Sequence, residues 1–190
     1  FNVYLWSSNE VTQNITVSTA GTYTVTVVNS NACSNTADFT VTSFSNPEPD
    51  IEGNLNFCTG TTTSISVTQT YPQYNWSTNS SSQEITVSEG GLYIVTVTDN
   101  NGCSADVGAW ISEKPLPTAT LSTNSPICSG EDAVLTFDLT GTAPWSLTYF
   151  NGFNNVTTNI TSSPYVVNIP TSQSINVSLS SISDVFCSSN

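Results

Sequence analysis

The chain has 190 residues, enough for one or two ordinary domains or for two to three small ones. Fourteen Asp and Glu face a single basic residue, Lys114, with no His, and the formal charge is -13. That excludes a binder that neutralises nucleic-acid phosphates, argues against docking on an anionic membrane surface, and leaves most acid–base, triad and zinc chemistry without its parts.

The polar residues are mostly uncharged: 30 Ser, 30 Thr and 21 Asn make up 81 of the 190 residues, while charged residues are only 8 %. Such a surface suits an exported β-protein better than a cytosolic one. Disorder is excluded by 37 % hydrophobic and 10 % aromatic residues, placed at alternating positions. No run approaches 18 apolar residues, so no membrane-spanning helix is expected.

In chain order, the first strand-like segment is Phe1-Asn2-Val3-Tyr4-Leu5-Trp6. The chain starts inside it, without an initiator Met or a signal peptide, and is expected to be a piece of something longer. Trp6, Gly21, Tyr23 and Cys33 then recur as Trp76, Gly91, Tyr93 and Cys103, every offset being 70. Ile15-Thr16-Val17-Ser18 recurs as Ile85-Thr86-Val87-Ser88, and Tyr23-Thr24-Val25-Thr26-Val27 as Tyr93-Ile94-Val95-Thr96-Val97. Cys58-Thr59-Gly60 returns, again 70 later, as Cys128-Ser129-Gly130. The third copy diverges. Trp145 follows Trp76 by 69, Cys187 follows Cys103 by 84, and the Gly-x-Tyr pair is absent. A turn-like insertion at Asn151-Gly152-Phe153-Asn154-Asn155 accounts for the extra residues.

Each copy reads as all-β. Ser64–Thr68, Glu84–Val87 and Tyr93–Thr98 alternate with a period of two, one face apolar and the other Thr or Ser. Glu89-Gly90-Gly91 and Asn100-Asn101-Gly102 are turn signals. Strands spaced this way within about 70–80 residues predict a small β-sandwich for each copy. The expected modules are 1–45 (front strands missing), 46–114 (complete) and 115–190 (last strand missing). Pro47 and Pro49, then Pro115 and Pro117, mark short stiff joins that favour an elongated rod.

The five cysteines are an odd number. If Cys58 pairs with Cys103, each module carries one disulfide of its own, and Cys128 pairs with Cys187. Cys33 would then pair with a residue ahead of Phe1, so its odd status is expected from truncation. Strands B, C, E and F running as an alternating meander would bring the start of B and the end of F to one pole. Closing each ~45-residue loop would stabilise a marginal 70-residue sandwich by about 3–4 kcal/mol. Disulfides imply an oxidising compartment, which is the periplasm, the cell surface or the medium.

Together, Cys58, Gly60, Tyr74, Trp76, Ser77, Ile85, Gly91, Tyr93, Asp99, Gly102 and Cys103 form a pattern that resembles the immunoglobulin-like (PKD-like) repeats of Bacteroidota cell-surface proteins. These include gliding-motility adhesins of the SprB type and other substrates of type IX secretion. The first copy carries the back half of the pattern; the third keeps Cys128, Gly130, Trp145 and Cys187. The resemblance implies stalks and adhesive arrays, and it implies no catalytic residues.

Trp6, Trp76 and Trp145 share one repeated position and are expected in the core, with a sugar platform as the other reading. Tyr23 and Tyr93, two residues after Gly, are expected to form tyrosine corners. Trp110 does not repeat. Four residues before Lys114, it fits packing at a module joint slightly better than a ligand contact. Tyr149, Phe150 and Phe153 around the insertion are the best candidates for an exposed binding loop, since loop aromatics stack on sugars or fill pockets. No cofactor is expected. Calcium between modules would draw on Glu48, Asp50, Glu52 and Asp99, with Asn101, Glu113, Glu131 and Asp132 nearby. No dense Asp-x-Asp-x-Asp loop exists, and solvated acids are the simpler reading. The Asn-x-Ser/Thr matches at Asn14, Asn75, Asn79, Asn155, Asn159 and Asn176 say nothing beyond polarity in a chain of this composition.

The expected function is that of a non-enzymatic, extracellular segment of a large adhesin, whose partners are neighbouring modules of the same chain and extracellular glycans or surface proteins. The alternatives are a carbohydrate-binding module array and a subunit of an extracellular filament. A glycosidase would need paired carboxylates, and the Asp and Glu residues map to loops and joints without a repeated partner.

Overall fold

The computed structural model describes residues 3–128, 130–170 and 173–190, and the described elements are all β-strands. β1 (Val3–Trp6), β2 (Gly21–Val28) and β3 (Ser34–Val41) form one antiparallel sheet in that order. Phe1 and Asn2, expected in the first strand, lie outside the described residues.

Seven strands follow: β4 (Ile51–Gly53), β5 (Asn56–Cys58), β6 (Thr63–Val67), β7 (Gln73–Trp76), β8 (Glu84–Val87), β9 (Gly91–Thr98) and β10 (Ser104–Lys114). They make two sheets, β4-β6-β8 and β5-β10-β9-β7. Alternation dictates the inner face: Ile65, Val67, Ile85, Val87, Val95 and Val97 are buried while Ser64, Ser66, Thr86, Thr96 and Thr98 turn outward. Trp76, 1 % exposed, fills the centre.

The last seven strands are β11 (Ala119–Thr123), β12 (Asp132–Leu139), β13 (Trp145–Phe150), β14 (Asn155–Ile160), β15 (Tyr165–Pro170), β16 (Ser178–Ser183) and β17 (Ser188–Ser189). Their sheets are β11-β12-β15 and β14-β13-β16-β17, closed over Leu135, Phe137, Trp145, Leu147, Tyr149 and Ile182. The insertion is the turn of an added hairpin, β13–β14. The last strand, expected to be missing, is present as the two residues of β17 paired with β16. The chain therefore contains immunoglobulin-like β-sandwiches in tandem.

The repeat is visible in side-chain hydrogen bonds. The indole Nε1 of Trp6 and Trp76 donates to the carbonyls of Thr12 and Ser82, six residues on, at 2.9 and 2.8 Å; that of the divergent Trp145 instead turns back to the Thr140 carbonyl at 2.9 Å. The hydroxyls of Tyr23 and Tyr93 reach the Thr19 and Glu89 carbonyls, four residues back, at 2.8 and 2.9 Å, as tyrosine corners. Burial differs, however. Trp76, Val95, Val97 and Ile111 are sealed in the second unit, whereas their counterparts Trp6, Val25, Val27 and Val41 are only half-buried. No described residue between 3 and 45 is buried, because among the described residues no second sheet covers the inner face of β1–β3.

The disulfide pairing departs from expectation. The structure joins Cys58 to Cys187, with Cα atoms 5.7 Å apart, and leaves Cys33, Cys103 and Cys128 as thiols. One bridge thus links two sandwiches; neither has a disulfide of its own. The reason lies in strand direction. β5 runs parallel to the end of β10, with Cys58 opposite Lys114. Cys103 precedes Ser104, the first residue of the same eleven-residue strand, so the two cysteines lie roughly 35 Å apart at ~3.3 Å per residue, far beyond the ~7 Å limit for a disulfide. Likewise Cys128 lies just before the eight-residue β12, while Cys187 lies beyond its other end, where Asp184 binds Thr142. The strands do not alternate in direction as a meander, because β7 and β8 both run the same way: β7 descends along β9 from Thr98 to Val95, and β8 descends along β6 from Ser66 to Thr63. That extra crossing puts the start of β6 and the end of β9 at opposite poles.

Candidate functional site

Two places on this scaffold gather unusual side chains: the joint between the sandwiches and the outer face of β9 and β10. The joint is built by two turns. Cys58-Thr59-Gly60-Thr61 closes with the Thr61 amide donating to the Cys58 carbonyl at 2.9 Å. Gly60 has φ of +83°, left-handed backbone that favours glycine. Facing it, the β16–β17 turn is organised by Asp184, whose Oδ1 accepts the amides of Phe186 and Cys187 at 2.8 and 2.7 Å and whose Oδ2 accepts that of Thr142 at 2.9 Å. The disulfide closes the two turns on each other. Lys114, the chain's single basic residue, lies with its Nζ 4.7 Å from the centre of the Phe186 ring, a cation–π contact of about 0.5–1 kcal/mol. Its carbonyl accepts the Thr59 amide at 2.8 Å. Pro117, in the four-residue connection, is fully buried.

Burial acts to raise the Asp184 carboxyl, but the backbone amides of Thr142, Cys187 and Phe186 more than offset it and hold it below the usual carboxylate range. A depressed folded value means the stabilisation is complete above the ordinary Asp value near 4 and disappears as pH falls through the folded one. We expect Asp184→Ala to destabilise the third unit by about 1–3 kcal/mol at neutral pH. In urea titrations of the parent the gap to this variant should close below pH 4; a constant gap down to pH 2 would contradict the assignment.

The second place centres on Trp110. It is not packed at the joint, as its closeness to Lys114 suggested. It points outward from β10 and is 68 % exposed. The reason is register: Trp110 pairs with Leu92, out of phase with inward-facing Ile111 and Tyr93. Leu92 and Ile94 share this outer face and are 53 % and 40 % exposed. Gly108, opposite Ile94, leaves the face low between them. The sequence reading missed Leu92 and Ile94, although two apolar residues alternating against Tyr93 and Val95 mark a strand with both faces apolar. The first copy has Thr22, Thr24 and Thr40 at these positions, and Thr22 and Thr40 bond to each other instead, at 3.1 Å.

The expected loop at the insertion is only partly a surface. Tyr149 is a core residue, 3 % exposed, its ring centroid 4.7 Å from that of Phe137, and burial pushes its phenol up, with Tyr165 adding to the effect. It alternates with Trp145 and Leu147 along β13, which fixes it inward. Phe150 is half-buried, paired with Asn155 and Ser178. Phe153 is exposed at the hairpin tip, its amide held by Asn151 Oδ1 at 2.9 Å.

The carboxylates considered for calcium do not converge: among the described residues no three acidic, His or Cys side chains meet in a metal-sized group. Glu48, Asp50 and Glu52 are exposed; Asp50 Oδ1 accepts the Ile51 amide at 2.9 Å, and Glu52 accepts from Ser66 at 3.4 Å. Asp99 Oδ1 is spent on the turn amides of Asn101 and Cys103, at 2.8 and 2.9 Å, and Glu131 accepts the Cys128 amide at 3.2 Å.

No family model and no curated protein matches the chain. Among solved structures, the chain is similar to the FN1–FN3 domains of chicken CNTN1, with 10 % identity over 85 % of this chain and 69 % of that one, at a TM-score of 0.32. A likeness of that degree carries no argument, and the immunoglobulin-like architecture rests on the strand order and register themselves.

Proposed function

We propose that the chain is a non-enzymatic segment of a large secreted cell-surface adhesin. Its tandem immunoglobulin-like modules act as a disulfide-stabilised stalk for surface adhesion and gliding motility, of the kind Bacteroidota export by type IX secretion. The observation that carries this reading is the joint, where Cys58–Cys187, Lys114 over Phe186 and buried Pro117 fix one repeat on the next. Such an arrangement serves presentation along an array. A disulfide of this kind belongs in an oxidising, extracellular setting. The acidic, Thr-rich surface keeps such an array soluble and resistant to self-association.

The test is antibody labelling of intact cells of the source with serum raised against residues 46–190. Labelling without permeabilisation is expected, together with weakened surface attachment when the segment is deleted. Signal only after lysis would sink the proposal.

A carbohydrate-binding array is a second reading, favoured by Trp110 with Leu92 and Ile94 on one exposed face. An indole on a low apolar surface stacks on sugar rings. On this reading the chain is retained by insoluble polysaccharides, and Trp110→Ala lowers retention tenfold or more while changing stability by no more than about 0.5 kcal/mol. No retention of the parent chain would eliminate it.

A further inference from the structure

We infer that the three free thiols, Cys33, Cys103 and Cys128, are half-cystines of a ladder of bridges between successive modules, built on the rule that joins Cys58 to Cys187. The rule pairs the cysteine of the Cys-x-Gly turn in one module with the cysteine of the β16–β17-type turn in the module that follows it.

Local geometry sorts the five cysteines into two kinds. Cys33, Cys103 and Cys187 each end an Asx turn with the same bonding pattern, four residues after its first residue in the first two and three residues after it in the last. Asn29, Asp99 and Asp184 receive the amide of the cysteine on a side-chain Oδ1, at 3.0, 2.9 and 2.7 Å. Each also receives the amide two residues on, from Asn31, Asn101 and Phe186, at 2.9, 2.8 and 2.8 Å. Their own backbone amides donate to the carbonyls of Cys33, Cys103 and Cys187 at 3.0, 2.9 and 2.8 Å. The other kind is Cys58 and Cys128. Their carbonyls accept the amides of Thr61 and Glu131 at 2.9 and 3.1 Å, and the intervening Gly60 and Gly130 have φ of +83° and +93°.

The two kinds occupy opposite poles. The chain enters a module at the pole bearing the Asx-turn cysteine and leaves it at the pole bearing the Cys-x-Gly cysteine. This follows in the second unit from Cys58 lying opposite Lys114 at the end of β10. In the third unit it follows from Ala119, the first residue of β11, pairing with Leu139 at the end of β12, near the Asp184 turn. A module therefore cannot bridge itself. When modules follow one another, the leaving pole of one meets the entering pole of the next, and the one joint with both cysteines described is bridged. Applied to the rest, the rule leaves Cys33, Cys103 and Cys128 without partners in this chain, and those are the three thiols found. Cys33 and Cys128 are exposed and Cys103 is half-buried, so all can be reached.

Their partners are cysteines of adjoining repeats of the same 70-residue type: a Cys-x-Gly cysteine for Cys33 and for Cys103, an Asx-turn cysteine for Cys128. Each bridge forms when two thiols give up two protons and two electrons to a disulfide-bearing thiol oxidoreductase, whose disulfide is reduced to two thiols. The pairing rule does not depend on the adhesin proposal, since it concerns only how consecutive repeats are joined.

Two measurements test it. In the 190-residue chain, denatured without reductant and alkylated, three sites should be modified: Cys33, Cys103 and Cys128. Modification of Cys33 alone would restore pairing within modules and overturn the rule. In the polypeptide isolated from its source, a non-reducing digest should yield Cys33 and Cys103 each linked to a Cys-x-Gly peptide and Cys128 linked to an Asx-turn peptide, with the three alkylation sites lost. Recovery of the three as thiols, or linked to one another within one chain, would overturn the ladder.

Discussion

Replacing Trp76 with alanine is expected to cost the second sandwich about 3–5 kcal/mol, a large share of the roughly 5–15 kcal/mol that holds an ordinary domain folded. The indole is 1 % exposed, lies in one cluster with Ile65, Val67, Val95, Val97 and Ile111, and satisfies its N–H on the Ser82 carbonyl. Truncation leaves a cavity in a two-layer core with few other large side chains. The matching change at Trp6 should cost far less, about 1 kcal/mol, because the face that carries Trp6 is open and little apolar surface returns to water. Urea titrations of the two variants, followed by far-ultraviolet circular dichroism, would separate these effects. Equal losses would mean that the first sheet is covered in solution.

Removing the bridge is expected to have the other large effect. Cys58 and Cys187 are 129 residues apart in sequence, and the chain-entropy model gives about 5 kcal/mol for a loop of that length, divided between the two sandwiches it encloses. Cys58→Ser should lower both thermal transitions and separate them, since the sandwiches keep their four-residue connection and the Lys114–Phe186 contact but lose the covalent tie between the two turns. It should also raise the number of alkylated cysteines from three to four, the new site being Cys187. A new site elsewhere, or an unchanged melting profile, would contradict the joint as described.

Much of this molecule is legible from offsets of 70. The shared indole bonds of Trp6 and Trp76, the tyrosine corners of Tyr23 and Tyr93 and the turns at Cys33 and Cys103 all follow from residues that recur in place, because each hydrogen bond is local to a few residues. Strand direction and strand phase are harder to read from residues alone. Pairing Cys58 with Cys103 required the number of strand reversals between them, and the loop from Trp76 to Glu84 changes sheets without reversing the chain, which no local signal announces. Tyr149 stands beside an insertion, which points to a binding loop, yet its two-residue spacing from Leu147 and Trp145 puts it inside. For Trp110, nearness in sequence to Lys114 favours the joint only slightly over a ligand contact, while its neighbour Ile111 carries the strand phase that turns the indole outward.

The Cys58–Cys187 bond also decides where mechanical load would travel. A pull on the two ends of this chain reaches Cys58, crosses the sulfur–sulfur bond and leaves from Cys187, so the 129 steps of backbone between them carry none of it. Those residues include β6 through β16, nearly all of both sandwiches. Fully drawn out, such a segment would add roughly 400 Å of slack; with the bond intact that slack is unavailable, and the two sandwiches ride beside the line of tension. A reducing environment would return it, turning an inextensible link into one that lengthens as its domains unravel.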